Sequence, residues 1–258
     1  MTLDTDFHSH VSYTSAMQMA QSARTKGLRV LGLSEHITQM SESRPLLEHL
    51  PLEGPIMTFP AYVEAVLAAA QAIPFDVRLG MEVEFIPEKN ERIQALLQPY
   101  NWDFLIGSVH EVDGLSIEVK QDLTREECED FWLRYFQALR QAVNSGYFSL
   151  VSHPVRMRAS NPHLPATFDH ELEYLAAEAT RNNVALEING SDLLSYPDVV
   201  RRLARACAAQ HTPISVGSDA HYPAEVAQAH QQSAALLHEV GIQSIRIWKQ
   251  GVAEEYSF

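Results

Sequence analysis

The sequence has few cysteines, few basic residues and no long hydrophobic run. Cys128 and Cys207 are the two cysteines in 258 residues, and they form neither a CxxC motif nor another paired spacing. Such a chain suits a reducing compartment, because disulfide-dependent proteins carry closely spaced cysteine pairs. Asp4 and Asp6 stand where a signal peptide would carry basic and then apolar residues, so we expect a cytoplasmic protein.

The charge balance is strongly acidic. Lys and Arg number 19 against 33 Asp and Glu, which gives a formal net charge of -14. A nucleic-acid backbone is bound by clustered basic side chains that replace its counterions, so no nucleic-acid partner is expected. The most apolar helical window, AYVEAVLAAAQAI, contains Glu64 and is well short of the ~20 residues that span a bilayer, so no membrane partner is expected either.

Short β-type runs alternate with longer helical patterns along the whole chain. The predicted strands cover residues 3–7, 29–34, 76–85, 103–109, 147–152, 184–189, 213–218 and, more weakly, 243–248. The predicted helices cover residues 16–26, 60–72, 88–98, 124–144, 169–182, 197–210 and 224–239. About seven strand-then-helix repeats imply a parallel sheet, and without a linker or composition break they favour one α/β barrel domain over residues 1–258.

Two interruptions of this pattern follow the carboxyl ends of predicted strands. Residues 37–59 come after the second strand and contain several prolines, which indicates one long loop of the kind that is usually functional. Asp113-Gly114 comes after the fourth strand and predicts a small β-hairpin. Both segments are therefore expected on the same rim of the barrel.

Titratable side chains stand at the ends of seven predicted strands. They are His8 and His10, Glu35 and His36, Glu82 and Glu84, His110, His153, Glu187 with Asn189, and Asp219 with His221. Taken singly, each is better explained as a solvated side chain or the start of a turn. The carboxyl ends of barrel strands converge on one rim, so their shared position predicts a common metal site.

The donor types indicate which metals this site would hold. Imidazoles with a few carboxylates and no thiolate suit Zn, Mn or Fe, whereas Ca²⁺ prefers oxygen ligands alone. The candidates exceed the needs of one tetrahedral ion, so we expect two or three divalent cations, with Glu82 or Asp219 bridging. Two neighbouring cations can generate a hydroxide and hold the oxygens of a phosphoryl group.

Six short motifs in this order carry a family resemblance: DFHSH, LSEH, GMEVEF, IGSVH, VSHP and GSDAH. The chain resembles the polymerase and histidinol phosphatase (PHP) superfamily over essentially its whole length. The stretches YNWDFLIGSVHEVDG, LEING and VGSDAH look most like the histidinol-phosphatase branch. The resemblance implies a distorted seven-stranded, TIM-like (β/α)7 barrel that hydrolyses a phosphate monoester with a metal cluster at the strand ends.

The resemblance also assigns roles to residues. The positions that match the ligands of two metals are His8, His10, Glu82, His110, His153 and Asp219. His36 and His221 match ligands of a third ion, whereas Ala16 stands where the family often has another histidine. The third site is therefore expected to be weak, absent or completed by water or a neighbouring residue. Glu35 and Glu187 are expected to orient imidazoles.

Two arginines after the fifth strand are candidates for binding the phosphate. Arg156 and Arg158 in SHPVRMR stand two residues apart, and guanidinium groups make forked contacts with phosphate oxygens. The alternative is that both are solvated arginines beside the barrel mouth. Arg44 and Lys120 on neighbouring loops are weaker candidates.

These assignments predict a metal-dependent phosphomonoesterase in which a metal-bridging hydroxide attacks phosphorus. Asp219 would hold metal, and His36 or His221 would protonate the leaving alkoxide if the third site is empty. The first predicted substrate is histidinol phosphate, which would place the protein in histidine biosynthesis.

Three alternatives stay open at this point. One is a family phosphatase acting on a phosphotyrosine protein or another small phosphate ester, and another is a nuclease, against which the acidic charge counts. The third is a non-catalytic metal-binding regulatory module, which only Ala16 supports. The aromatic stretch FWLRYFQAL is a candidate homo-oligomer contact, although packing a helix onto the barrel explains it better.

Overall fold

A sheet of seven parallel strands forms the centre of the computed structural model, which describes residues 2–52 and 54–258. Its strands, in spatial order, are β1 (Thr5–Asp6), β2 (Val30–His36), β3 (Asp76–Glu84), β4 (Phe104–Ser108), β7 (Leu150–Val151), β8 (Ala185–Asn189) and β9 (Ile214–Gly217). Every neighbouring pair is parallel. All carboxyl ends therefore lie at one edge of the sheet.

The first and last strands of this sheet meet. The backbone N–H of Phe7 donates a hydrogen bond to the carbonyl of Val216 over 3.1 Å, and Ser9 pairs with Ala220 in a parallel bridge. The sheet is thus a nearly closed barrel, which confirms the predicted α/β, TIM-like fold with seven strands.

Nine helices occur in the described residues, and most of them connect successive barrel strands. They are α1 (Ala16–Thr25), α2 (Arg44–Leu47), α3 (Phe59–Ala72), α4 (Asn90–Leu97), α5 (Arg125–Asn144), α6 (Phe168–Asn182), α7 (Gly190–Ser195), α8 (Pro197–Gln210) and α9 (His230–Glu239). Each longer helix buries one apolar stripe, as expected for helices that cover a barrel. In the described part of the chain, no helix combines the length and apolar character needed to cross a membrane.

Helix α5 settles the role of the aromatic stretch FWLRYFQAL. Its rings belong to Trp132, Tyr135 and Phe136, among others, and these three are completely buried within the chain. Trp132 packs edge-on against Phe168 of α6, with ring centroids 5.1 Å apart. These aromatic side chains therefore attach a helix to the barrel, and they are not exposed for a subunit contact.

A small antiparallel hairpin lies at the opposite end of the barrel from the strand ends. It consists of β10 (Ser244–Lys249) and β11 (Val252–Ser257). The Trp248 ring packs against Phe7 and Phe104 inside the barrel, and Gly80 leaves room for Phe104, since a Cβ there would lie 2.3 Å from the Phe104 ring. The predicted strand 243–248 is therefore a strand outside the barrel, and β11 was not predicted because its exposed, acidic sequence lacks the apolar alternation of a buried strand.

The two predicted rim segments are present, with more structure in the first than expected. Residues 37–59 contain a short 3-10 turn at Ile37–Gln39 and helix α2, whereas Glu53 lies outside the described residues. The hairpin is confirmed: β5 (Glu111–Val112) pairs with β6 (Leu115–Ser116) around Asp113 and Gly114, whose φ angles of 53° and 78° suit a two-residue turn. Helix α9 begins later than predicted, because Ala227 and Ala229 adopt positive φ angles.

Candidate metal centre

The strand ends bring eight predicted ligands into one cluster. The ligand atoms of seven of them form three groups, each with all atoms within 4.8 Å of one another. The eighth, Asp219, lies beside these groups, with its Oδ1 3.2 Å from His10 Nε2. The groups are His8, His10 and Glu82; Glu82, His110 and His153; and His10, His36 and His221. Because Glu82 and His10 each belong to two groups, the three candidate positions for a cation are adjacent.

Glu82, at the end of β3, is the central carboxylate. Its Oε2 lies 2.6 Å from His36 Nδ1 and 3.4 Å from His8 Nε2, while its Oε1 lies 3.1 Å from His153 Nε2 and 3.6 Å from His110 Nε2. The side chain is buried, with 2 % of the residue exposed. One carboxylate with imidazoles on both oxygens is the arrangement expected of a ligand that bridges two cations.

Asp219 joins the cluster from the loop after β9. Its Oδ1 lies 3.2 Å from His10 Nε2 and 3.7 Å from His8 Nε2. His221, two residues later, places its Nε2 3.4 Å from His36 Nε2. Asp219 has a φ of 60°, which turns the chain back over the strand end so that both side chains reach the cluster.

His8 shows that the donor set fits a cation. Its Nδ1–H donates a hydrogen bond to Glu187 Oε1 over 2.7 Å, so a cation that displaces the Nε2 proton finds the ligating lone pair on Nε2. This Nε2 is buried and has no hydrogen-bond partner in the described part of the chain. An imidazole oriented by a carboxylate, with its other nitrogen turned into a cluster of donors, is the typical state of a metal-ligating histidine.

Other carboxylates orient the remaining imidazoles. Glu35 accepts hydrogen bonds from the backbone N–H groups of Val11 and His36, and its Oε1 lies 3.6 Å from His10 Nδ1. Glu84 accepts a hydrogen bond from His110 Nδ1 over 2.6 Å. Glu35 and Glu187 were predicted for this role, whereas Glu84 was not, although its position two residues after Glu82 places it on the same face of β3.

The carboxylates and imidazoles also shift one another's pKa values. Burial lowers the pKa of His8, but Glu187, Glu82 and Asp219 outweigh burial and raise it well above its usual value. Burial also lowers the pKa of His110, but the neighbouring Glu84 carboxylate outweighs burial and raises this pKa to about 9. Burial raises the pKa of Glu82, yet His36 and His8 hold it well below its usual range. The cluster thus has the negative potential that attracts cations.

Comparison with known proteins agrees with this geometry. A family model described as the PHP domain matches residues 4–191. The chain belongs to the PHP domain family.

Relatives of the PHP-family chain cover nearly its full length at low identity. A probable histidinol-phosphatase of Deinococcus radiodurans is 26% identical over 239 residues, which cover 87% of this chain and 86% of the relative. A probable phosphatase of Vibrio cholerae is 26% identical over 255 residues, which cover 96% of this chain and 88% of the relative. The crystal structure of histidinol phosphate phosphatase from Lactococcus lactis, complexed with zinc, L-histidinol and phosphate, matches the fold with a TM-score of 0.81 and 17% identity, over 97% of this chain and 98% of that one.

The two predicted phosphate-binding arginines lie in different surroundings. The guanidinium of Arg158 lies over the Tyr196 ring, 5.6 Å from its centroid, and forms a cation–π contact there. Arg156 reaches the cluster, where its Nη2 donates to Asp219 Oδ2 over 2.5 Å and its Nε donates to Asp192 Oδ1 over 2.6 Å. Both arginines lie on the loop after β7, as the sequence predicted. The short 3-10 turn at Arg156–Ala159 directs one toward Asp219 and the other toward Tyr196.

Two further predicted positions of the PHP-family chain have clear surroundings. Ala16 is buried at the start of α1, where Ser15 caps the helix by accepting a hydrogen bond from Gln18 N–H. Arg44 donates to the carbonyls of Glu48 and Leu50 in its own loop. Asp192, in the first turn of α7, accepts a hydrogen bond from Arg156 and was not predicted as a site residue. Helix α7 follows β8 directly, so no loop in the sequence marks Asp192 as a residue of the rim.

Glu187→Gln is expected to weaken metal binding by about 10- to 100-fold, the usual cost of losing a carboxylate that orients a ligating histidine. Glu187 receives hydrogen bonds from His8 Nδ1 and from the His153 backbone N–H, so one amide substitution disturbs the imidazole of His8 and the backbone that positions His153. Competition with a chromogenic chelator measures the affinity. Glu254→Gln, on the exposed strand β11, serves as the matched control. Equal affinities for the two variants would contradict the assignment.

Proposed function

We propose that this PHP-family protein is a metal-dependent phosphomonoesterase. The observation that carries the proposal is the set of three adjacent ligand groups, which share Glu82 and His10 and lie at the carboxyl ends of the barrel strands. Active sites of α/β barrels lie at this end. Relatives named as probable phosphatases, with 26% identity over most of both chains, support the same class of reaction.

The proposed ligands of two divalent cations, Zn, Mn or Fe, are His8, His10, Glu82, His110, His153 and Asp219. His36 and His221, together with His10, would hold a third. Bound cations would supply a water activated as nucleophile and positive charge for the phosphoryl oxygens. Glu35, Glu84 and Glu187 keep the imidazoles in the orientation that this requires.

The chain's own residues complete the proposed reaction. Arg156 holds Asp219 in place, and its Nη1, which donates to Glu118 Oε1 over 3.0 Å, can instead neutralise charge on a phosphate oxygen. Asp192 accepts a hydrogen bond from Arg156 Nε and Asn189 accepts one from Nη2, and these two contacts fix the orientation of the guanidinium. When two cations bind, His36 and His221 are the proposed proton donors to the leaving alkoxide, and when a third binds they are its ligands.

We infer that histidinol phosphate is the first substrate to test. A cavity of about 190 Å³ beside the cluster is lined by Glu82 and His110, by Leu50 of the loop after β2, and by the β5–β6 hairpin. Its size suits a small ester, since pockets for drug-sized ligands measure about 300–1,000 Å³. Relatives of this chain include a probable histidinol-phosphatase, and the structurally similar Lactococcus lactis enzyme holds L-histidinol and phosphate.

Phosphate release tests the proposal directly. Protein stripped of metal and resupplied with Mn, Zn or Fe is assayed with histidinol phosphate, p-nitrophenyl phosphate and a phosphotyrosine peptide. A kcat/KM for histidinol phosphate at least about 10²-fold above the others is expected, because a site with buried polar partners for one substrate discriminates strongly against analogues that lack them. Metal-restored activity on p-nitrophenyl phosphate alone would support the phosphatase proposal and reject histidinol phosphate as the substrate. No turnover with any metal would favour a metal-binding module.

A further inference from the structure

The cavity beside the metal centre has two walls of different origin. One wall comes from the loop after β2 and consists of Ile37, Thr38, His49, Leu50 and Pro51. The other comes from the hairpin segment and consists of Glu111, Gly114, Ser116 and Glu118. Glu82, Glu84, His36 and His110 form the floor, where the metal centre begins. A phosphate ester with its phosphate at the floor would therefore place its leaving group between the two walls.

The hairpin wall carries negative charge that the floor does not neutralise. Glu84 is paired with His110, so its charge is balanced within the floor. Glu111 lies 3.7 Å from His49, whose other ring nitrogen lies 3.4 Å from the Lys89 ammonium. Glu118 forms one ion pair in the described part of the chain, with its Oε1 3.0 Å from Arg156 Nη1, and His110 interacts with it electrostatically from farther away. The cavity is thus lined by two carboxylates with few cations of their own.

The floor of the cavity is shared with the metal centre. Glu82 is 2 % exposed, and its Oε2 lies 2.6 Å from Nδ1 of His36, which also lines the cavity. Glu82 lines the same cavity as Glu111 and Glu118. The cavity is therefore continuous with the site that binds metal and phosphate, and its carboxylate wall faces whatever group the phosphate is attached to.

Phosphate binding at Arg156 would free one of these carboxylates. The Nε and Nη2 of Arg156 are taken by Asp192, Asn189 and Asp219, which leaves Nη1 as the nitrogen that reaches toward Glu118 of the cavity wall. Nη1 is the atom paired with Glu118. A phosphate oxygen that binds Nη1 displaces the Glu118 carboxylate. The displaced carboxylate is then partly buried next to a negatively charged phosphate, which is unfavourable unless another cation binds it.

We propose that Glu118, assisted by Glu111, recognises a cationic group on the leaving-group side of the substrate. The substrate phosphate takes Arg156 from Glu118, and the substrate's own ammonium or imidazolium replaces Arg156 as the partner of Glu118. The site thereby selects phosphate monoesters that carry a positive charge a few bonds from the phosphate. This selection rests on the proposed phosphatase function and adds the residues that set its specificity.

Binding of two matched phosphonates tests this exchange without requiring turnover. 3-Aminopropylphosphonate and propylphosphonate differ in the ammonium group, and neither is hydrolysed. We expect the metal-loaded protein to bind the amino compound about 10- to 100-fold more tightly by calorimetry, the range for a hydrogen-bonded charged pair. Similar affinities for the two compounds would overturn the proposal.

Glu118→Gln should change the two affinities in opposite directions. Loss of the carboxylate weakens binding of 3-aminopropylphosphonate, whereas loss of the competitor for Arg156 Nη1 tightens binding of propylphosphonate. Glu111→Gln should weaken the amino compound by a smaller factor, and Glu254→Gln should change neither affinity. A variant that weakens both compounds equally would show a structural role for Glu118 and reject its role in recognition. Absence of phosphate release in the substrate assay would reject the phosphatase proposal independently of this result.

Discussion

Asp219→Asn is expected to lower kcat/KM for any accepted phosphate ester by about 10³-fold, since metal charge supplies several kcal/mol to the transition state and each 1.36 kcal/mol is tenfold in rate. Asp219 contacts His10 through one oxygen and Arg156 through the other. The asparagine side chain keeps the shape but loses the negative charge. Steady-state kinetics together with metal analysis by mass spectrometry would measure both losses.

The control for this variant is Asp198→Asn. Asp198 lies in the first turn of α8 with a side chain that is 95% exposed, and its ion pair with Arg201 spans 3.4 Å. Such a surface pair contributes about 0–1 kcal/mol, so kcat/KM and metal content should stay unchanged. Full activity in Asp219→Asn, with normal metal content, would rule out Asp219 as a catalytic metal ligand.

Removal of the metal is expected to abolish turnover and to lower the melting temperature by about 5–10 °C. A ligand present at 100 times its Kd stabilises a protein by about 2.7 kcal/mol, and for a chain of this size each kcal/mol shifts Tm by about 2–4 °C. Without cations, the imidazole of His8 is the group that lies between Glu82 and Asp219, and neighbouring carboxylates repel each other.

Differential scanning calorimetry of stripped and resupplied protein measures this shift. Asp219→Asn should respond less to added metal than the unchanged chain, because it binds metal more weakly. An unchanged Tm and full activity after exhaustive chelation would contradict a metal-dependent mechanism.

The positions of the proposed ligands were predictable because each follows a local signal. A β-type run predicts a strand, and the residue that ends the strand is visible in the sequence, as with His153 after VS and Asp219 after GS. Parallel order then places all seven strand ends at one rim without any knowledge of distances. The confirmed barrel and the clustering of His8, His36 and Glu82 both follow from this reasoning.

Contacts between loops were not predictable in the same way. Arg156 and Arg158 have the same local context, yet one contacts Asp219 and the other lies over Tyr196. The difference arises from a tight 3-10 turn, whose course depends on α7 and the hairpin packed around it. Glu84 was likewise not predicted as the partner of His110. The two residues follow different strands, and the sequence does not show which side chains of neighbouring strand ends meet.

The sequence by itself determined the barrel, the rim on which the chemistry collects and the set of imidazole and carboxylate donors, because strand periodicity and parallel order are local properties. Only the tertiary structure decided which donors share a cation, with Glu82 and His10 each in two groups. It also decided that Arg156 pairs with Glu118 of the cavity wall. Such pairs join residues far apart in the chain, and their distances depend on how the loops pack against one another.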